Sequence, residues 1–96
     1  LDKVRPAVVL TRDVAATFLN GITVAPITTT IYGIATEVPV GPANGLDADS
    51  VISCDNITTV QRADILDVIG YLHERDEPVL FRAIQAAFDL TSPPGF

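Results

Sequence analysis

Ninety-six residues with twelve acidic and six basic side chains carry a formal charge of −6, which argues against a partner held mainly through clustered Lys and Arg contacts to phosphate. A chain of this length buries only about two thirds of the surface its unfolded form exposes, enough for one core, so residues 1–96 are expected to form a single domain. Charged residues make up 19% and apolar residues 48%, which excludes a disordered chain, and no apolar run approaches the roughly 20 residues of a membrane helix. With no signal-peptide pattern and one cysteine, which excludes an internal disulfide and a multi-cysteine zinc site, the chain is expected to be cytoplasmic.

The chain opens at Leu1 without an initiator methionine and meets its first β-branched run, residues 4–10, almost at once. A preceding strand is expected to be missing, leaving this edge unpaired or differently paired. Arg5 and Pro6 stand at the first positions of the run, the places where a strand tolerates a charge and a missing donor. Residues 14–19 suit a short helix or loop, ended by Asn20-Gly21. The β-branched stretch 22–32 predicts a second strand, with Pro26 marking an edge or bulge, and Gly33 breaks it. Residues 36–40 alternate polar and apolar as a third strand, and 41–47 form a dense turn in which Asn44-Gly45 serves turn chemistry. Residues 50–60 predict a fourth strand, although Asp55 and Asn56 in its middle need a reason. Residues 62–64 turn the chain toward a fifth strand over 66–72, with a helical turn over 63–66 as the alternative. The one clear helix has Asp76 as its N-cap, Glu77 and Pro78 in the first turn, and Val79, Leu80, Ala83, Ile84, Ala87 and Phe88 on one buried face. Thr91 to Gly95 ends it. Five strands followed by a carboxy-terminal helix predict a mainly β fold, a curved sheet or half-open barrel covered by that helix.

Most catalytic constellations are absent: no Gly-rich phosphate loop, no metal-ligand cluster, no nucleophile motif and no aromatic-basic platform. Cys54 fits a small buried side chain better than a nucleophile, and His73 fits a polar loop. Arg5 offers a permanent, forked cation suited to phosphate or carboxylate, or it is an edge arginine solvated or paired with Asp2 or Asp13. The threonine run Thr28, Thr29, Thr30 lies at the far end of the next strand, and the two places meet if the strands are antiparallel. Those threonines are strand filler or, with Arg5, a site that binds phosphate and stabilises charge without a metal. RNA supplies its own nucleophile, the 2′-hydroxyl, so a site this spare suffices to cleave it. Residues 1–48 hold three basic against four acidic side chains, so a locally positive groove is expected there, while residues 49–96 hold three against eight.

Arg5-Pro6-Ala7-Val8-Val9-Leu10, then Val24-Ala25-Pro26-Ile27-Thr28-Thr29, then residues 53–60, then Ile69-Gly70-Tyr71-Leu72 and a helix ending Ala87-Phe88-Asp89-Leu90, resemble the MazF/PemK toxins of toxin-antitoxin modules. The order and spacing of these motifs carry the resemblance along nearly the whole chain. It implies an SH3-like, partly open five-strand barrel and a homodimer. It also implies a metal-independent endoribonuclease that cuts single-stranded RNA at short sequences, needs no cofactor, and is neutralised by a cognate antitoxin with a disordered acidic tail. By the same resemblance Arg5 and Thr28 are catalytic, while Thr29, Asp55 and Asn56 contact the substrate. Members of the family carry a further strand and loop ahead of the Arg-Pro motif, and these are expected to be missing here, where almost nothing precedes Arg5. The alternatives are a truncated, inactive toxin and a protein-binding toxin of the same fold, like the CcdB relatives that bind DNA gyrase.

Overall fold

The computed structural model describes residues 4–89 and 95. Its hub is the strand β2, Gly21–Thr28, whose β-branched residues suit a pleated surface with both edges paired. On one edge β1, Ala7–Val9, runs antiparallel with Ala7 opposite Pro26 and Val9 opposite Val24. On the other edge two strands follow one another. β5, Thr58–Gln61, pairs with positions 21–24, and β4, Ser50–Ser53, pairs with Ile27 and Thr28. β3, Glu37–Val40, completes the second sheet on the far side of β4. The result is a mainly antiparallel sheet that does not close into a barrel.

This topology explains a proline in the middle of the central strand. The bonds from Leu10 N–H to Thr23 O (2.8 Å) and from Ile27 N–H to Pro6 O (3.0 Å) aim the odd-numbered positions of β2 at β1. Position 26 therefore faces the opposite edge, where the pairing with β5 ends at Val24–Thr58 and that with β4 begins at Ile27–Ile52. Pro26 fills the gap, where an N–H has no strand to bond. Pro6 likewise only accepts.

The fourth predicted strand, residues 50–60, is in fact two. The 3-10 turn Cys54–Asn56 separates β4 from β5 and shifts the register along β2 by three residues, so the chain leaves one sheet and joins the other. Asp55 and Asn56, the polar pair that seemed out of place in a strand, belong to this turn. β2 also ends earlier than expected. At Thr28 the hydroxyl oxygen accepts the N–H of Thr30 (3.1 Å), a local turn that competes with the ladder and diverts residues 29–35.

The expected fifth strand over 66–72 does not form. Its backbone is engaged by the turn Pro42–Asn44 instead: Asn44 Nδ2 donates to Tyr71 O (3.0 Å), and the His73 ring Nε2 lies 3.1 Å from Ala43 O. Gly45, at φ +93, and Gly70 pack so closely that a Cβ on Gly70 would collide with the Asn44 carbonyl. The fifth strand of the fold is β5.

The helix α2, Glu77–Phe88, covers one face of the sheet. Ala83 is buried against Ala25, Val38, Ile52 and Cys54, with Val79, Leu80, Ile84 and Ala87 packed around them. Phe88, expected on this face, is 58% exposed because it lies at the helix end, beside Asp89 in the left-handed region (φ 50°). Asp76 occupies the N-cap position without a capping side-chain bond, since the 3-10 turn Glu74–Asp76 feeds straight into the helix. The expected stop at 91–95 lies outside the described residues apart from Gly95. The short helix α1, Asp13–Ala16, follows β1, and Arg62 fastens the loop after it by donating to Thr17 O (3.0 Å) and twice to Leu19 O (3.0 and 2.6 Å).

Candidate functional site

Continuing the β1–β2 register outward by two residues sets Arg5 opposite Thr28. Positions 7 and 9 face 26 and 24 as non-hydrogen-bonded pairs, and position 5 falls in the same series, in which side chains on one face approach most closely. Arg5 is exposed and makes no hydrogen bond or ion pair with a described residue. The guanidinium is thus a free fork of donors at the mouth of the strand pair. Thr28 complements it. Its oxygen is held by the Thr30 amide, which fixes the rotamer and leaves the hydroxyl hydrogen to donate outward.

Thr28 opens into a cleft of about 380 Å³ shared with Pro26, Thr30, Tyr32, Ile34, Glu37, Ser53, Asp55 and Asn56. The size falls in the range of roughly 300–1,000 Å³ typical of sites for small ligands. The 3-10 turn between β4 and β5 brings Asp55 and Asn56 here, across from the end of β2. Asp55 Oδ2 accepts the Thr36 hydroxyl (2.6 Å), and Asn56 Nδ2 donates to Ser53 Oγ (2.7 Å). Each bond orients one end of its side chain. Asp55 Oδ1 and Asn56 Oδ1 accept no hydrogen bond from a described residue, and both side chains are exposed.

Of the five residues singled out by sequence, the structure gathers Thr28, Asp55 and Asn56 in this cleft, and the strand register, carried two residues outward, sets Arg5 opposite Thr28. Thr29 points elsewhere. It lines a separate depression of about 390 Å³ with Pro6, Gly45, Leu46, Asp47, Ala48, Ser50 and Ile69. The expected positive groove is not found among the cleft's lining residues, which include the carboxylates Glu37 and Asp55 and no cation. Acceptors of this kind suit the N–H groups of a nucleobase edge better than phosphate oxygens.

Tyr32, Ile34 and Glu37 were not legible as site residues. Residues 31–35 carry neither helix nor strand, and only the proximity of Gly33 to an acid four residues later hints at an ordered loop. Cys54, by contrast, is a core residue at 2% exposure, and its thiol is pushed above its ordinary pKa by burial first and by the nearby Asp55 charge second. A thiol so disfavoured as thiolate is no nucleophile. No group of three or more His, Cys, Asp or Glu side chains that could hold a metal ion occurs among the described residues. No helix among them is long and apolar enough to cross a membrane.

Residues 1–88 match the family described as PemK-like, MazF-like toxin of type II toxin-antitoxin system. The chain is 54% identical over 90 residues to Endoribonuclease MazF3 of Mycobacterium tuberculosis, covering 94% of this chain and 87% of that protein. It is 35% identical over 86 residues to Probable endoribonuclease MazF5 of the same species, covering 88% and 79%. Among solved structures, Mycobacterium tuberculosis toxin MazF-mt6 superimposes with a TM-score of 0.89 at 54% identity, over 93% of this chain and 90% of that one.

Proposed function

The chain belongs to the family of PemK-like, MazF-like toxins of type II toxin-antitoxin systems, and from that premise we propose that it is a sequence-specific endoribonuclease acting on single-stranded RNA in the cytoplasm. The observation that carries the assignment to a site is the register that sets Arg5 across from Thr28, with Thr28 opening into the cleft of Asp55 and Asn56. A protein-binding toxin without RNA chemistry has no use for such a pair, and 54% identity to a named endoribonuclease favours the enzyme.

In this reading the Arg5 fork binds the two non-bridging oxygens of the scissile phosphate, and Thr28 donates its hydroxyl hydrogen to the same group. Both donors gain strength as negative charge builds on those oxygens in the transition state. The 2′-hydroxyl attacks phosphorus, so a 2′-oxygen–phosphorus bond forms while the bond from phosphorus to the 5′-oxygen breaks. The attacking hydroxyl gives up its proton and the departing 5′-oxygen gains one, leaving a 2′,3′-cyclic phosphate and a free 5′-hydroxyl. Arginine stays charged throughout, so its work is electrostatic. Asp55 and Asn56 accept from base edges and hold the strand in register. Thr29, on the neighbouring depression, contacts the adjoining part of the RNA.

The toxin class carries a partner with it. A cognate antitoxin, with an acidic tail in extended form, competes with RNA for Arg5. The enzyme works as a homodimer, a reading supported by the apolar side chains that one copy leaves in water, among them Val9, Phe18, Leu66 and Tyr71. The deciding test is cleavage of single-stranded RNA in the presence of a chelator, with analysis of the new ends. Cyclic phosphate ends are expected, and a single 2′-deoxynucleotide on the 5′ side of the cut should abolish cleavage. Equal cutting of that substituted strand would overturn the mechanism.

A further inference from the structure

Residues 31–35 have no strand or helix of their own, yet Tyr32 and Ile34 form one wall of the cleft beside Thr28. A carboxylate holds that wall in place. Glu37, the first residue of β3, accepts at Oε1 from three consecutive backbone amides: Tyr32 (3.1 Å), Gly33 (2.8 Å) and Ile34 (3.4 Å). Tyr32 N–H also reaches Oε2 at 3.3 Å, and Glu37 N–H returns a 3.0 Å bond to Ile34 O. Successive amides turned to one side make an anion-binding concavity, and Gly33, at φ +72, supplies the torsion that turns the middle one inward. The other end of the loop is tied to the opposite wall, since Cys54 N–H donates to Thr36 O (3.0 Å) and the Thr36 hydroxyl to Asp55.

The effect of this scaffold is to stand an aromatic ring at the lip of a polar cleft. Tyr32 is 75% exposed, and its hydroxyl has no hydrogen-bond partner among the described residues. It shares the cleft with Asp55, Asn56 and Thr28. A flat ring, edge acceptors and a phosphate-binding hydroxyl around one cleft are the elements that take a single nucleotide: base on the ring, base edge on the acceptors, phosphate at Thr28 and Arg5.

Resting on the ribonuclease reading above, we propose that Tyr32 stacks the base of the nucleotide at the scissile phosphate, and that Glu37 is a positioning residue that acts through Tyr32. The ring supplies binding that is the same in ground and transition states, so its loss appears in KM. The phosphate contacts supply the rate. Tyr32→Phe keeps the stacking face and should lose less affinity than Tyr32→Ala, while Glu37→Gln weakens the three amide bonds by removing their charge.

The test measures kcat and KM for cleavage of a short RNA, together with the affinity of an uncleavable 2′-deoxy-substituted strand by fluorescence anisotropy. Thermal melting of each variant accompanies both. Tyr32→Ala should raise KM and the dissociation constant about ten-fold or more, with kcat changed by less than about two-fold. Glu37→Gln should raise both several-fold in the wild-type background and by less than about two-fold in the Tyr32→Ala background. Unchanged KM and affinity in Tyr32→Ala would overturn the proposal while leaving the ribonuclease reading in place. The same factor from Glu37→Gln in both backgrounds would overturn the role given to Glu37. A wild-type chain that binds the strand through Tyr32 but never cuts would refute the ribonuclease reading and uphold the base contact.

Discussion

The Thr36 hydroxyl donates to Asp55 Oδ2 at 2.6 Å, tying the residue just before β3 to the turn that separates β4 from β5. Through that bond one oxygen of a carboxylate that lines the cleft is fixed. Asp55→Ala is expected to raise KM for RNA with little change in kcat, because a base-edge acceptor binds ground and transition states alike. Thr36→Val should give a smaller rise in KM and cost about 0.5–1.5 kcal/mol of stability, the usual net contribution of one hydrogen bond. Steady-state kinetics with chemical denaturation separates the two effects, and an unaltered KM in Asp55→Ala would remove it from the site.

In the proposed mechanism Arg5 and Thr28 are expected to contribute to rate and little to folding. Arg5 is exposed and bonded to no described residue, so Arg5→Ala should change stability by less than about 0.5 kcal/mol. Losing one preorganised donor to the transition state lowers kcat by about 10²–10³. Arg5→Lys should recover little of that, since an ammonium is a point charge without the fork. Thr28→Ser should retain most activity, and Thr28→Ala should lose it along with the turn to Thr30. Single-turnover cleavage beside circular dichroism checks both halves, and wild-type rates in either alanine variant would refute the assignment.

Local pattern revealed what local physics decides. The strand pair β1–β2, the alternating β3, the Asn44-Gly45 turn and the amphipathic α2 were all legible, and so was the antiparallel pairing whose register, carried two residues beyond β1, sets Arg5 opposite Thr28. What stayed hidden depends on distant partners. Residues 50–60 look like one strand because nothing in them announces that β2 offers two consecutive stretches of edge. Residues 66–72 have strand composition, yet their backbone is taken by Asn44 and by the close approach of Gly45 and Gly70. Glu37 occupies a polar place in an alternating pattern, and its hold on three amides arises from the shape of a loop that pattern cannot describe. Charge counting also misled, since a nearly neutral half suggested a positive groove while the cleft holds two carboxylates.

Arg62 is a structural cation, and its loss should affect folding instead of chemistry. Its guanidinium makes three bonds to the carbonyls of Thr17 and Leu19, joining the end of β5 to the loop behind α1. Arg62→Ala is expected to lower stability by about 1–2 kcal/mol, less than three fully buried bonds would give because the group is exposed to water. The denaturant midpoint should fall with no change in slope. Cleavage by the folded enzyme should stay near wild type, and Arg62→Lys should recover only part of the stability because an ammonium cannot span both carbonyls.

Cys54 provides a pH signature that belongs to the core and not to the site. Burial, with a smaller contribution from the Asp55 charge, raises its thiol above the ordinary value of 9.0, so the folded chain holds that proton more tightly than the unfolded one. A group raised in this way contributes stability in full below its unfolded value and loses it as pH climbs from there through the folded value. Wild-type stability should therefore fall more steeply above pH 9.0 than that of Cys54→Ala, whose side chain cannot ionise. Other groups titrate in the same range, but the difference between the two proteins isolates the cysteine. The alanine variant should start about 1 kcal/mol less stable at neutral pH from the lost packing and cleave RNA at the wild-type rate. Iodoacetamide should label native Cys54 slowly, at a rate that follows local opening of the β4–β5 turn. Parallel pH profiles for the two proteins, or rapid labelling of the native thiol, would show that Cys54 is not held as the core places it.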